Sequence, residues 1–179
     1  MTNRSDFSAQ EWNAITELPL LIGTAVIITP QAGPVQFVQE TLAMMKFIDD
    51  SKEHAGALVA AVAQTIDASA QERADTANSA VGGATIHGEG ESVSHTVAHA
   101  GAELRQQLLE KIAAVNTILA AKASADDAAA YKRWLVHIAQ NVAQAAKEGT
   151  FLGLGGQRVT EAESMVIGEI AQALGVEHV

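Results

Sequence analysis

Ile138-Ala139-Gln140-Asn141-Val142-Ala143-Gln144-Ala145-Ala146-Lys147-Glu148-Gly149, the aliphatic loop from Thr150 to Val159, then Thr160-Glu161-Ala162-Glu163 and Ile170-Ala171-Gln172-Ala173-Leu174-Gly175 read as helix, glycine-broken turn, helix. Gly149 after Glu148 fits a left-handed helix stop, Thr160 with Glu163 forms a capping box, and Gly175 suits the end of the second helix. The stretch therefore specifies all-α architecture. It contains no evident nucleophile, base or metal cage, so it carries fold information and little chemistry.

Working outward, Ser8-Ala9-Gln10-Glu11 is a second capping box and starts a first helix that runs to about Thr29, with Pro19 kinking or dividing it. Pro30 to Pro34 is the connection, and Pro34 opens a second helix through about Ser51. On that helix Phe37, Val38, Leu42, Met44, Met45 and Ile48 spread over a wide arc at about 100° per residue. So apolar a helix is either central in the monomer or partly taken up in a subunit contact.

A third helix is expected from Glu53 to about Val81, with Leu58, Val62 and Ile66 inward. Gly82 to Gly90 is a loop, and a long fourth helix follows from about Ser92 to Lys122 with a stripe of Val93, Val97, Leu104, Leu108, Val115 and Leu119. Residues 53–122 read as a long antiparallel hairpin, one that projects from the rest in one reading. Ser124, with Asp126 and Asp127 in the first turn, starts the fifth helix, whose stripe is Tyr131, Trp134, Leu135, Ile138, Val142 and Ala145. The sixth runs from Glu161 to Leu174 with Val166, Ile170 and Leu174 inward. The expectation is one all-α domain over residues 1–179, a bundle of about six helices.

The Ala-rich helix, the Gly-containing turn, the Val159-Thr160-Glu161-Ala162-Glu163 restart and Ile170-Ala171-Gln172-Ala173-Leu174-Gly175 resemble the C-terminal helical hairpin of the tellurite-resistance TerB-like proteins, a small all-α family. The likeness covers residues 132–176, with a fainter echo from Leu20 to Met45. It implies an all-α fold and, in that family, metal binding through acidic residues near an Asp-Gly turn. Here the two turns read Glu148-Gly149 and Thr29-Pro30-Gln31-Ala32-Gly33, which departs from that acidic pattern.

A formal net charge of −10 and a pI near 4.9 oppose binding to a phosphate backbone, which needs a cationic surface. Nucleic acid is excluded as an expected partner. With no cysteine there is no disulfide, thiolate zinc site or cysteine nucleophile, and the first residues lack the pattern of a secretory leader. Cytoplasmic is the default expectation. Leu18 to Thr29 is apolar all round but short of the ~20 residues that span a bilayer, so it reads as a buried core helix. A membrane-associated role through that segment is a third reading.

His95 and His99 are four apart and Glu103 continues the row, so a helix would present two imidazoles and a carboxylate on one side. His87, with Glu89 and Glu91, sits in the adjoining loop. Against that stands the ordinary reading of a solvated polar face, since the row lies opposite the apolar stripe and lacks the Glu that follows the first His of a zinc-protease helix. Facing Glu-x-x-His pairs, which a di-iron bundle needs, are absent. His137 sits at the edge of its helix's core stripe, and the 151–156 loop lacks the Lys-Ser/Thr of a phosphate loop. That loop instead carries Phe151, Leu152 and Leu154, which would dock on the parent core or on a partner.

No catalytic constellation is evident. The reading is an acidic helical binding and interaction module that self-associates through Phe37, Met44, Phe47, Phe151, Leu152 and Leu154. The alternative is a divalent-metal-binding protein, or a metal-dependent enzyme, using His87, His95, His99 and Glu103; no other cofactor is implied.

Overall fold

The structure is a computed structural model that describes residues 1–28, 34–80, 93–148 and 161–176; within those helices the side chains of 34–36, 54, 73–80, 93–102 and 146–148 fall outside the description. A single 3-10 turn, Arg4–Asp6, precedes six helices: α1 Ala9–Ile27, α2 Pro34–His54, α3 Ala57–Ala80, α4 Val93–Lys122, α5 Ala125–Glu148 and α6 Glu161–Leu174. Among the described residues there is no strand, as the periodicity predicts.

Helix starts follow their local chemistry. Ser8 Oγ accepts the Glu11 N–H at 3.2 Å while Glu11 accepts the Ser8 N–H at 2.7 Å, a reciprocal cap for α1. At α5 the Ser124 hydroxyl accepts the Asp127 N–H at 3.2 Å. The end of α6 is equally local. Gly175, at φ +68, donates to the Gln172 carbonyl, and Val176 donates to that of Ala171, each at 3.0 Å. This pair of bonds is the Schellman stop, and the positive φ is why glycine stands there.

One boundary differs from the sequence expectation. Helix α2 does not stop near Ser51, and Glu53 belongs to α2 rather than to α3. Ser51 turns its hydroxyl back onto the Phe47 carbonyl at 2.7 Å, a bond within the helix that leaves the backbone helical. The break falls at Ala55-Gly56, where the Gly56 carbonyl takes the Ala60 N–H and begins α3.

Helix α1 packs against all five other helices. That central position explains its composition. Trp12, Ile15, Leu18, Ile22, Val26 and Ile27 are buried, and Leu20, Leu21 and Ala25 on the remaining sides pack against the same core. The apolar run at 18–28 is thus a core helix, and no described helix is long and apolar enough to cross a membrane. Pro19 lies inside α1, which continues through it as one helix.

Around α1, α5 is wedged between α1 and α2, α3 lies on α2 and α5, and α4 lies on α1 and α6. Trp134 donates to Ser51 at 2.8 Å and Ala130 faces Gly56, so α2 and α5 run antiparallel. Ion pairs Lys122–Glu11 and Lys111–Glu17 give α4 the same sense against α1. The described parts of α3 and α4 are built into the bundle through Leu58, Val59, Val62, Ile66, Leu108, Ile112, Val115 and Leu119. The outer half of the expected 53–122 hairpin, around residues 81–92, lies outside the described residues.

Candidate interaction surface

Helix α2 is buried along one row of residues and exposed at its start. Glu40, Met44, Ile48 and Ser51 recur at three- or four-residue steps and are buried. Phe37, Val38 and Leu42, in its first turns, are 50 %, 54 % and 64 % exposed. Large apolar side chains scattered singly are ordinary on a surface, but three within two turns of one helix form a patch.

Met44 is 5 % exposed because it lies over Gly23 of α1, where an added Cβ would collide with its sulfur. From that contact α1 runs one further turn and ends at Ile27. Phe37, seven residues before Met44, shares its side of α2, yet is half exposed.

Of the residues expected at a subunit contact, Phe37 alone offers a large described surface. Met44 is corrected to a core residue, because the Gly23 notch takes its side chain within the monomer. Phe47 is half-buried against the core, and its carbonyl belongs to the Trp134–Ser51–Phe47 hydrogen-bond chain. Phe151, Leu152 and Leu154 lie outside the described residues. Val38 and Leu42, noted in the sequence only as part of a broad apolar arc, are the other members of the patch.

The charged groups of α2 leave this patch clear. Between Pro34 and Ile48 the only ones are Glu40, turned inward, and Lys46. Beyond it, Lys52 pairs with Asp49 and with Asp67 of α3, and the hydrogen bonds its ammonium donates to those two carboxylates raise the Lys52 pKa. A carboxylate with a lowered pKa lies elsewhere. At the start of α1, hydrogen bonds from Lys122 and from the Ser8 backbone hold Glu11 down at about 2.

The metal expectation falls largely beyond view. His87 is outside the described residues, and His95 and His99 lie on the described backbone of α4 without described side chains. Glu103 is exposed. Among the described residues no group of three His, Asp or Glu side chains is placed to hold a metal ion. His137 is exposed, consistent with its position at the edge of the α5 stripe.

Two buried carboxylates, Glu40 and Glu163, are missed in the sequence, because a charged residue on a helix is read as outward-facing. For Glu40 the row Glu40, Met44, Ile48 at four-residue steps was the available clue. Comparison with protein-family models, with curated proteins and with solved structures finds no match to this chain.

Proposed function

We propose that this chain is a helical binding and interaction module that pairs with a second copy of itself through the exposed apolar side chains at the start of α2. The observation that carries the reading is the exposure of Phe37, Val38 and Leu42 on a stretch free of surface carboxylates, in a chain of net charge −10. Two acidic copies repel at long range, so a contact is best placed where neither presents an acid. Pairing about a two-fold axis, the commonest symmetry of soluble oligomers, would bring the patch onto its own copy. Three side chains supply only part of the roughly 800 Å² per partner of a standard interface. The pairing is accordingly concentration-dependent. A cytoplasmic setting, and kinship with the tellurite-resistance TerB-like proteins through residues 132–176, belong to the same proposal.

Light scattering coupled to chromatography tests it. Wild type is expected to shift towards a dimer at tens of micromolar, and Leu42→Glu to remain monomeric with unchanged helix content, since the new charge would be desolvated only in the dimer. A monomeric wild type at that concentration refutes self-association.

A second reading is a divalent-metal protein using His87, His95, His99 and Glu103. Its support is that α4 is helical from Val93 onwards, so positions 95, 99 and 103 share one side. Metal analysis of tag-free protein, with thermal shift on adding zinc or manganese, distinguishes it from the first reading.

A further inference from the structure

The segment before α1 is fastened at a small number of points. Thr2 is 3 % exposed; its N–H donates to Asp127 Oδ2 at 2.7 Å, and its hydroxyl accepts the Ser124 N–H at 2.9 Å. It thereby caps α5 from a distant part of the chain. Phe7, also buried, lies 5.8 Å from the Trp12 ring, and the Arg4 guanidinium stands 5.7 Å over the same indole. Asn3, Arg4, Ser5 and Asp6 are exposed.

Beneath this segment Trp12 is 1 % exposed, and its Nε1 has no hydrogen-bond partner. A buried N–H without an acceptor is a destabilising feature, and it is relieved when water reaches it. Withdrawal of Phe7 and Arg4 would open the indole to water and release the entropy of ordering a segment of which two side chains, Thr2 and Phe7, are buried. The fastening that resists this centres on one carboxylate, Asp127. When the segment leaves, α1 keeps its own cap at Ser8 and α5 keeps the bond from the Asp127 N–H to the Ser124 hydroxyl.

We propose that Thr2 to Phe7 form a latch that opens while the six helices stay folded, uncovering the Trp12 indole as an apolar surface where α1 begins, α4 ends and α5 begins. Closed, that end of the bundle presents Asn3, Arg4, Ser5 and Asp6; open, it presents an aromatic face beside the freed Ser124 N–H. Opening of this kind is a local unfolding event, distinct from global unfolding.

The test uses the full chain carrying Trp134→Phe, so that Trp12 is the single tryptophan, with and without Asp127→Ala. Asp127→Ala is expected to raise acrylamide quenching of Trp12 severalfold and to shift its emission to longer wavelength, with the far-ultraviolet circular dichroism unchanged. Quenching that stays at the parent level overturns the proposal. So does quenching that rises only together with loss of helical signal, which would mean that the bundle opens as a whole. Hydrogen exchange on the wild-type chain decides the matter independently of any variant. The Thr2 and Phe7 amides are expected to exchange at a rate insensitive to low urea, whereas those of Ile15 and Leu18 follow global unfolding; a common urea dependence refutes the latch.

Discussion

The Tyr131 hydroxyl donates a 2.7 Å hydrogen bond to the carbonyl oxygen of Ile15, the carbonyl that Pro19, lacking an N–H, leaves without its helical donor. A proline in the middle of the central helix is thus answered from α5, across the core. Burial pushes the Tyr131 phenol well above its usual pKa, so it stays a neutral donor.

Tyr131→Phe is expected to cost about 1–3 kcal/mol, the penalty for leaving a buried carbonyl unsatisfied. In a Pro19→Ala background the residue-19 N–H can take over, and the cost of losing the hydroxyl should shrink. Urea unfolding of the four proteins in the cycle measures this. Equal costs in both backgrounds would show that the two features are uncoupled.

At Gly23 two effects of opposite sign compete. Replacing a mid-helix glycine by alanine gains about 1 kcal/mol of helix propensity, but the new Cβ would meet Met44 Sδ and Cγ, and overpacking costs about 1–3 kcal/mol. Met44 is a flexible side chain, so Gly23→Ala is expected to be mildly destabilising and Gly23→Leu severely so. Combining Gly23→Ala with Met44→Ala should cost less than the sum of the single changes. Strict additivity in thermal unfolding would argue against the contact.

The capping carboxylate Glu11 should titrate at about 2, against an ordinary value of 4.5, chiefly because of its hydrogen bond to Lys122. With the folded value depressed, its contribution to stability is present above the unfolded pKa. That contribution is lost as pH falls through the window from 4.5 to about 2. Lys122→Met should move the Glu11 midpoint upward, though not fully, because the Ser8 N–H remains. Carbon-detected NMR titration of the side-chain carboxyls reads the shift directly; an unchanged midpoint would remove Lys122 as the cause.

Chelation provides a fourth test. The fold is closed by one cluster of apolar side chains running from Phe7 to Leu174, so EDTA should leave both the circular dichroism spectrum and the melting temperature unchanged. Loss of several degrees would mean that a bound ion is linked to folding by mass action, and would favour the His95, His99 and Glu103 reading.

The candidate surface was partly legible beforehand. The breadth of the apolar arc on α2 marked it as more than a single core face, and Phe37 was among its expected members. Met44 is grouped with Phe37 because both belong to that arc. Spacing places residues on a face but does not reveal how far along the helix a neighbour extends.

The sequence by itself determined the six helices, the caps at Ser8 and Ser124, and the stop at Gly175, because each of these rests on groups within a few residues of one another. It also determined that α1 is a core helix, through an apolar run too short to span a membrane. Tertiary structure alone decided that Tyr131 satisfies the carbonyl freed by Pro19, that the Gly23 notch takes Met44 out of the surface, and that Phe37 stays exposed. These are relationships between residues of different helices. Burial depends on which helices meet and where each one ends, and no periodicity within a single helix contains that information.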